Sequence, residues 1–533
     1  MSKNGKAGLP AGWAETTLGE IVILNPRGWE SELADDEVVS FVPMAAVEAG
    51  SGKMDASQHR LWREVKKGYT TFQEGDVLFA KITPCMENGK CTIAQGLMGG
   101  RGAGSTEFHV LRPTQAISAK LLLYFLLQES FRREARAIMK GAAGQLRVPP
   151  EFLQGASFRL APHPEQRRIV TEIEKQFTRL DAGVAALERA QANLKRYRAS
   201  VLKAACEGRV VPTEAELARA EGRDYEPADR LLTRILKDRH TKWEADQLAN
   251  MQVQGKVPKD DKWKGKYQEP VGPDAASLPE LPEGWGWASL IQLGFVESGQ
   301  TPKGVENHIR KQGEIPWFKI GDMNRPGNER FMKTASSWIS WDAARTLGFH
   351  IHPAGTITFP KRGGAIATNK KRLLTQPGCY DLNTMGLIID PRILAYVWWW
   401  FAGVDLDKLS DGSNVPQINH GDVEPLPVPI PPFAEQHRII AEVERRLSVI
   451  DELEATVTAN LKRAERLRQS ILKRAFEGRL VLKDPHDEPV SALLERIRAE
   501  RQVEQKATAK AVSKPNQKSK RSQVAETQAE LFR

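Results

Sequence analysis

Pro162-His163-Pro164-Glu165-Gln166-Arg167-Arg168-Ile169 returns, 270 positions on, as Pro432-Phe433-Ala434-Glu435-Gln436-His437-Arg438-Ile439. At the same shift Glu207-Gly208-Arg209-Val210-Val211 returns as Glu477-Gly478-Arg479-Leu480-Val481. Aligned without a gap, residues 165–211 and 435–481 share 18 identities in 47 positions, so the chain is a tandem duplication. Prolines before each segment and a glycine after it are helix start and stop chemistry. Between them Ile173, Phe177, Leu180, Val184, Leu187, Leu194 and Val201 follow steps of four and three. The second copy repeats the seam with Val443, Leu447, Ile450, Val457, Leu461 and Ile471, interrupted by Glu454, Ala464 and Arg468. A helix of about 40 residues is a rod of roughly 60 Å. Alone it cannot bury its apolar stripe, whereas two of matching length can bury each other's; the alternative is that each packs only on its own globular domain.

Working outward, Leu9-Pro10-Ala11-Gly12-Trp13 opens the segment before the first helix and Leu281-Pro282-Glu283-Gly284-Trp285 the one before the second. These globular segments read as mixed α/β, with β-rich runs at Glu20 to Leu24, Val38 to Val42, Asp76 to Ile82 and Thr356 to Phe359 and a helix late in each. Gly75-Asp76-Val77-Leu78 and Gly355-Thr356-Ile357-Thr358 match as turn-to-strand starts, each reaching a lysine six residues after its glycine, Lys81 or Lys361. Val110 to Pro113 and Ile388 to Pro391 match as strands ended by proline. The expected class is α+β: a mixed α/β domain at 9–160, a helical region at 161–250, a linker at 251–280, a second α/β domain at 281–430, a second helical region at 431–504 and a disordered basic tail at 505–533. Within the helical regions Pro227 to Ile235 and Pro489 to Ile497 read as short docking helices.

A formal charge of +10 in 533 residues makes a polyanion such as nucleic acid a plausible partner without saying anything of specificity. Four cysteines (Cys85, Cys91, Cys206, Cys379) are too sparse for a disulfide framework and lack zinc-site spacing, so no metal is expected. The polar N-terminus and the absence of roughly 20 apolar residues in a row predict a cytoplasmic protein.

No phosphate-binding loop and no His-Glu-x-x-His motif stands in the chain. Gly99-Gly100-Arg101-Gly102-Ala103-Gly104-Ser105 reads as a flexible loop carrying Arg101, or as a plain surface turn. Lys361-Arg362-Gly363-Gly364 and Asn369-Lys370-Lys371-Arg372 place cations beside loop residues. Arginine pairs bidentately with guanine and lysine neutralises phosphate, so Lys81, Arg101, Arg147, Lys361, Arg362, Lys370, Lys371 and Arg372 are the candidate DNA contacts; the alternative is solvated surface. Trp398-Trp399-Trp400 reads as core packing rather than base stacking.

The duplicated Pro-x-x-Glu-Gln-x-x-Ile entries, the Glu-Gly-Arg exits and the Leu-Pro-x-Gly-Trp openings together resemble the specificity subunit of a type I restriction-modification system. The resemblance implies two target-recognition domains, each reading half of a bipartite duplex site in the major groove, and an antiparallel coiled coil between them. It implies a non-catalytic subunit that scaffolds two methyltransferase subunits, which modify adenine with S-adenosylmethionine, and motor subunits that cut DNA using ATP and Mg2+; this chain binds none of these cofactors itself. It also places the partner surface on the segments kept between copies, through Glu165, Gln166, Ile169, Leu180, Leu187, Glu435, Gln436, Ile439, Ile450 and Val457. The rivals are a stand-alone enzyme, for which no catalytic domain is visible, and a coiled-coil adaptor that binds DNA or protein without a restriction partner.

Overall fold

The long segments are helical as their end chemistry predicts: His163–Cys206 and Phe433–Phe476 are each one helix of 44 residues. Both stop the same way. Gly208 and Gly478 take φ of 67° and 66°, the left-handed conformation open to glycine. The next N–H, of Arg209 or Arg479, then reaches back to Ala204 O or Arg474 O at 2.9 Å, which satisfies an end-of-helix carbonyl. At the other end, the amides of Gln166 and Gln436 donate to Ala161 O (3.0 Å) and Pro431 O (2.9 Å). The computed structural model describes residues 8–499 except 27, 28, 30, 31, 143 and 259, so the expected basic tail lies outside the described residues. Among the described residues no helix is long and apolar enough to cross a membrane.

The chain forms two compact units, and neither is a contiguous repeat. Among the described residues the first comprises 8–188 with 458–499, the second 189–457. Each therefore takes one half of each long helix. In the first unit Arg468 bonds Asp181 and lies over the Phe177 ring at 4.5 Å, while Arg168 bonds Asp487 at 2.6 Å. From Arg168 up to Asp181 on the first helix the partners step back from Asp487, beyond the exit of the second helix, to Arg468 on it, so the two halves run antiparallel. In the second unit the same sense follows from Arg198 bonding Asp451 while Glu214, beyond the exit of the first helix, donates its N–H to Glu435 at the start of the second at 2.8 Å. Buried seam residues include Ile169, Ile173, Phe177, Val201 and Leu202 on one helix and Ile439, Val443, Leu447, Ile450, Val457 and Leu472 on the other; Leu180, Val184, Leu187, Leu194, Leu461 and Ile471 are half-buried.

In the first unit one sheet has the order Val22–Leu24, Phe108–Pro113, Val77–Ala80, Cys91–Ile93, all antiparallel. The second has the order His59–Leu61, Val38–Val42, Arg101–Gly104, Thr70–Gln73, with its two central strands parallel. Gly99 and Gly100 form a surface turn, but Arg101–Gly104 is a strand with Gly102, Ala103 and Gly104 buried, which corrects the loop reading for that part of the run. Its glycines are there because a Cβ at Gly102 would stand 2.3 Å from the Phe72 ring, and one at Gly104 would stand 2.2 Å from Val42 O. The second unit instead has a five-stranded sheet, Gly294–Ser298, Thr384–Ile389, Ile357–Pro360, Arg372–Leu374, Phe331–Met332, and a three-stranded one. Helix Leu394–Gly403 carries the three tryptophans, and Trp398 and Trp400 are buried in the core, as the sequence predicts.

Two further expectations change. The first docking helix runs from Ala228 to Val253, 26 residues, well beyond Ile235; the second covers residues 490–499. Residues 251–280 do not stand off as a linker. Trp263 is buried against Trp243, Tyr267 stacks on His240 with ring centroids 4.2 Å apart, and Val271 O accepts from Ser289 Oγ at 2.6 Å.

Candidate nucleic-acid interface

In each unit the domain opens and closes on one two-stranded ribbon, Ala14–Thr17 with Ser157–Leu160 and Gly286–Ser289 with Pro427–Ile430. The tryptophan just before the ribbon bonds the glutamate that starts the long helix. Trp13 Nε1 donates to Glu165 Oε2 at 2.9 Å, and Trp285 Nε1 donates to Glu435 Oε1 at 3.0 Å. Burial pushes both carboxyls above the usual range, and the indole N–H works against that push. The helix exit that reaches this tryptophan belongs to the other copy: a Cβ on Gly478 would meet Pro10 and Trp13, and one on Gly208 would meet Pro282 and Trp285. The docking helices follow the same exchange, with Val490 N–H on Gly12 O (3.0 Å) and Ala228 N–H on Gly284 O (2.9 Å).

This frame corrects the partner-surface expectation. Glu165, Gln166, Ile169, Glu435, Gln436, Ile439 and Ile450 are at most 2% exposed and Val457 is 8% exposed, so they hold the unit together and offer no face to another chain. Leu180 and Leu187 are half-buried.

The candidate DNA contacts divide by what holds them. Lys81 and Lys361 take the same place in their sheets: Val77 pairs with Leu111 and Ile357 with Leu387, so the lysines follow equivalent strands by one residue. The strand before proline is therefore offset by two residues from the sequence match, Leu111 being the equivalent of Leu387. Each lysine is half-exposed, and Lys361 Nζ donates to Ser298 Oγ at 2.9 Å. Arg147 pairs with Glu107 at 2.8 Å, which holds that carboxyl below the usual range, and Arg101 pairs with Glu37 at 3.4 Å. Arg362 is exposed and Lys370 bonds Asn324. Arg372 spends its guanidinium on Lys371 O and Met323 O at 2.8 and 3.1 Å.

Lys371 is not a DNA contact, for it is 6% exposed. Its ammonium donates to Asn369 Oδ1 at 2.7 Å and to Val404 O, and sits 5.4 Å from the Phe401 ring centre. Burial pushes its pKa down to about 7, against about 10.4 for an unfolded lysine. Between those values the unfolded chain binds the extra proton, so this residue makes stability rise with pH from about 7 to about 10. Lys371→Met should flatten that rise in chemical denaturation at a series of pH values; an unchanged profile would mean the buried ammonium is not its source.

The fold brings two loops against these lysines, and the sequence reading reached only the first, through Arg147. Val148 N–H donates to Lys81 O (2.9 Å) and Thr83 N–H to Leu146 O (3.0 Å); in the second unit Ile418 N–H donates to Lys361 O (2.9 Å) and Gly363 N–H to Pro416 O (2.8 Å). Arg147 and Gln417 are therefore equivalent, at the same shift of 270 that relates the long helices. Extending that alignment upstream of Glu165 would have found Gln417. Also missed is Arg60, exposed, with its guanidinium 4.0 Å from the Phe41 ring centre and beside Tyr69. Among the described residues no three His, Cys, Asp or Glu side chains could hold a metal ion.

A family model described as the type I restriction modification DNA specificity domain matches residues 282–463. The type I restriction enzyme EcoAI specificity subunit of Escherichia coli is 32% identical over 508 residues, 84% of this chain and 79% of that protein. The EcoEI specificity subunit, also of Escherichia coli, is 33% identical over 341 residues, 55% of this chain and 52% of that protein. A solved structure from work on complex assembly and conformational transition of the type I R-M system superposes with a TM-score of 0.63 at 17% identity, covering 89% of this chain and 99% of that one. At that identity the likeness is one of fold.

Proposed function

Because the chain belongs to the family of type I restriction-modification specificity subunits, we propose that each of its two domains reads one half of an asymmetric, bipartite site on duplex DNA. The subunit is non-catalytic, and the chemistry lies in partner subunits of the complex. In this reading it scaffolds two methyltransferase subunits, which modify adenine with S-adenosylmethionine, and motor subunits that cleave with ATP and Mg2+, all in the cytoplasm. Family membership disfavours the adaptor reading.

One observation carries the reading: the frame is kept while the readers differ. The ribbon, the Trp-to-Glu bond and the glycine exit recur residue for residue in both units. The sheets set on that frame do not, with four plus four strands in one unit and five plus three in the other. Two different surfaces on a common mount suit two different half-sites, with phosphate contacts supplying affinity and base contacts supplying choice. The test is methylation mapping in a host expressing this chain with its methyltransferase partner. A bipartite motif is expected, and exchanging residues 281–430 for the corresponding domain of a relative should change one half only. A motif that survives the exchange unaltered would refute the assignment of that domain as a reader.

A further inference from the structure

At the two loops and the two lysines the divergent domains keep both a cation and its backbone setting. Each lysine follows the equivalent strand by one residue. Its N–H is taken by the carbonyl of Glu107 or Asn383 (2.9 and 2.7 Å), and its carbonyl takes the N–H of Val148 or Ile418 (both 2.9 Å). The residues beside the lysine are not kept. Arg147 and Glu107 in one unit stand where Gln417 and Asn383 stand in the other.

From this split we propose that the junction of strand end and loop is a DNA-reading edge in each domain, where Lys81 and Lys361 bind backbone phosphate and Arg147 and Gln417 choose the base. The inference rests on the DNA-reading function proposed above and deepens it. The phosphate is the one feature common to two different half-sites, so a cation kept at the same point of two different readers is matched to it. Lysine suits that task as a compact point charge. The base pair is what differs, and arginine against glutamine is the exchange that moves preference from guanine towards adenine in the major groove.

Arg147 is prepared for this. Its Nε and Nη2 donate to the Glu107 carboxylate and its Nη1 to Gln145 O, which uses three of the five N–H groups. One N–H remains on each terminal nitrogen, a pair suited to two acceptors on one base edge, and the side chain is 42% exposed. The carboxylate fixes the guanidinium plane before DNA arrives, so little side-chain entropy is lost on contact. Gln417 is half-buried, with its amide donating to Asn419 Oδ1 at 2.8 Å.

The experiment uses the full chain assembled with its methyltransferase subunits. The probes are the duplex carrying the mapped wild-type motif and one of equal length with both half-sites scrambled. K81Q and K361Q should each reduce the slope of log affinity against log salt by about 0.9, with the same loss on both duplexes and an unchanged methylated motif. R147Q should change one position in one half of the motif and weaken the old duplex roughly tenfold or more, with the melting temperature held. A salt slope unmoved by the lysine variants, or a loss confined to the cognate duplex, overturns the phosphate role. An R147Q chain that melts earlier but methylates the same motif shows Arg147 to be only a staple to Glu107, which overturns the base-reading role. Absence of any bipartite motif with the wild-type chain is a failure of the proposed function instead.

Discussion

Trp13→Ala is expected to cost about 3 to 5 kcal/mol of the stability of the first unit, the range for deleting a buried tryptophan. Two contributions add. The ring is 8% exposed among the apolar residues of the first unit's core, where an aromatic of this size buries roughly 150 to 250 Å². Its indole N–H also serves Glu165, whose other carboxylate oxygen is already buried without a partner, so truncation leaves the whole carboxylate unsatisfied. Trp13→Phe separates the two, because it keeps most of the packing and loses only the donor, at about 1 to 3 kcal/mol. Trp285→Ala should do the same to the second unit, to a smaller extent because Trp285 is only half-buried. Hydrogen exchange resolved along the chain is the measurement. Protection should fall in residues 9–188 and 458–499 for the first variant and in 189–457 for the second. Equal loss across both units in each variant would contradict the division described here, and a Trp13→Phe chain as stable as wild type would show the Glu165 bond to be inconsequential.

Gly104→Ala should be the most damaging of the glycine-to-alanine changes in the glycine-rich run, at about 1 to 3 kcal/mol and near the upper end. The added Cβ would meet a backbone carbonyl, Val42 O at 2.2 Å, which belongs to the parallel neighbour strand and cannot swing aside as a side chain would. Gly364→Ala is the contrast. Its Cβ would find nothing within 4 Å, so a change within about 0.5 kcal/mol is expected. Urea denaturation of the two variants decides the point. If Gly104→Ala is as well tolerated as Gly364→Ala, the run is not the packed strand described above, and the loop reading of its sequence would return.

The outcome at these glycines shows where sequence reasoning stops. Gly99 to Ser105 and Lys361 to Gly364 look alike in composition, yet the first ends in a buried strand and the second lies open at a strand's end. Small residues mark both a flexible loop and a crowded strand, and only the position of Phe72, some thirty residues earlier, separates the two. Lys371 makes the same point with charge: in the sequence it is one of three neighbouring cations, and the apolar Phe401 and the Val404 carbonyl that enclose it come from some thirty residues further along the chain.

By itself the sequence determined the duplication, the entry and exit of both long helices, the match of Lys81 with Lys361 and the burial of the tryptophan run. These rest on local chemistry: proline and glycine at helix ends, apolar periodicity, and residues counted from a shared turn. Only the tertiary structure decided that each unit combines the opening of one copy with the helix exit of the other, Pro10 and Trp13 with Gly478, Pro282 and Trp285 with Gly208. Each copy contains both an opening and an exit, so a pairing within the copy satisfies the same local pattern. The choice falls to the antiparallel burial of the two seams, which carries the end of each long helix to the start of its partner, and so to the domain that the partner follows.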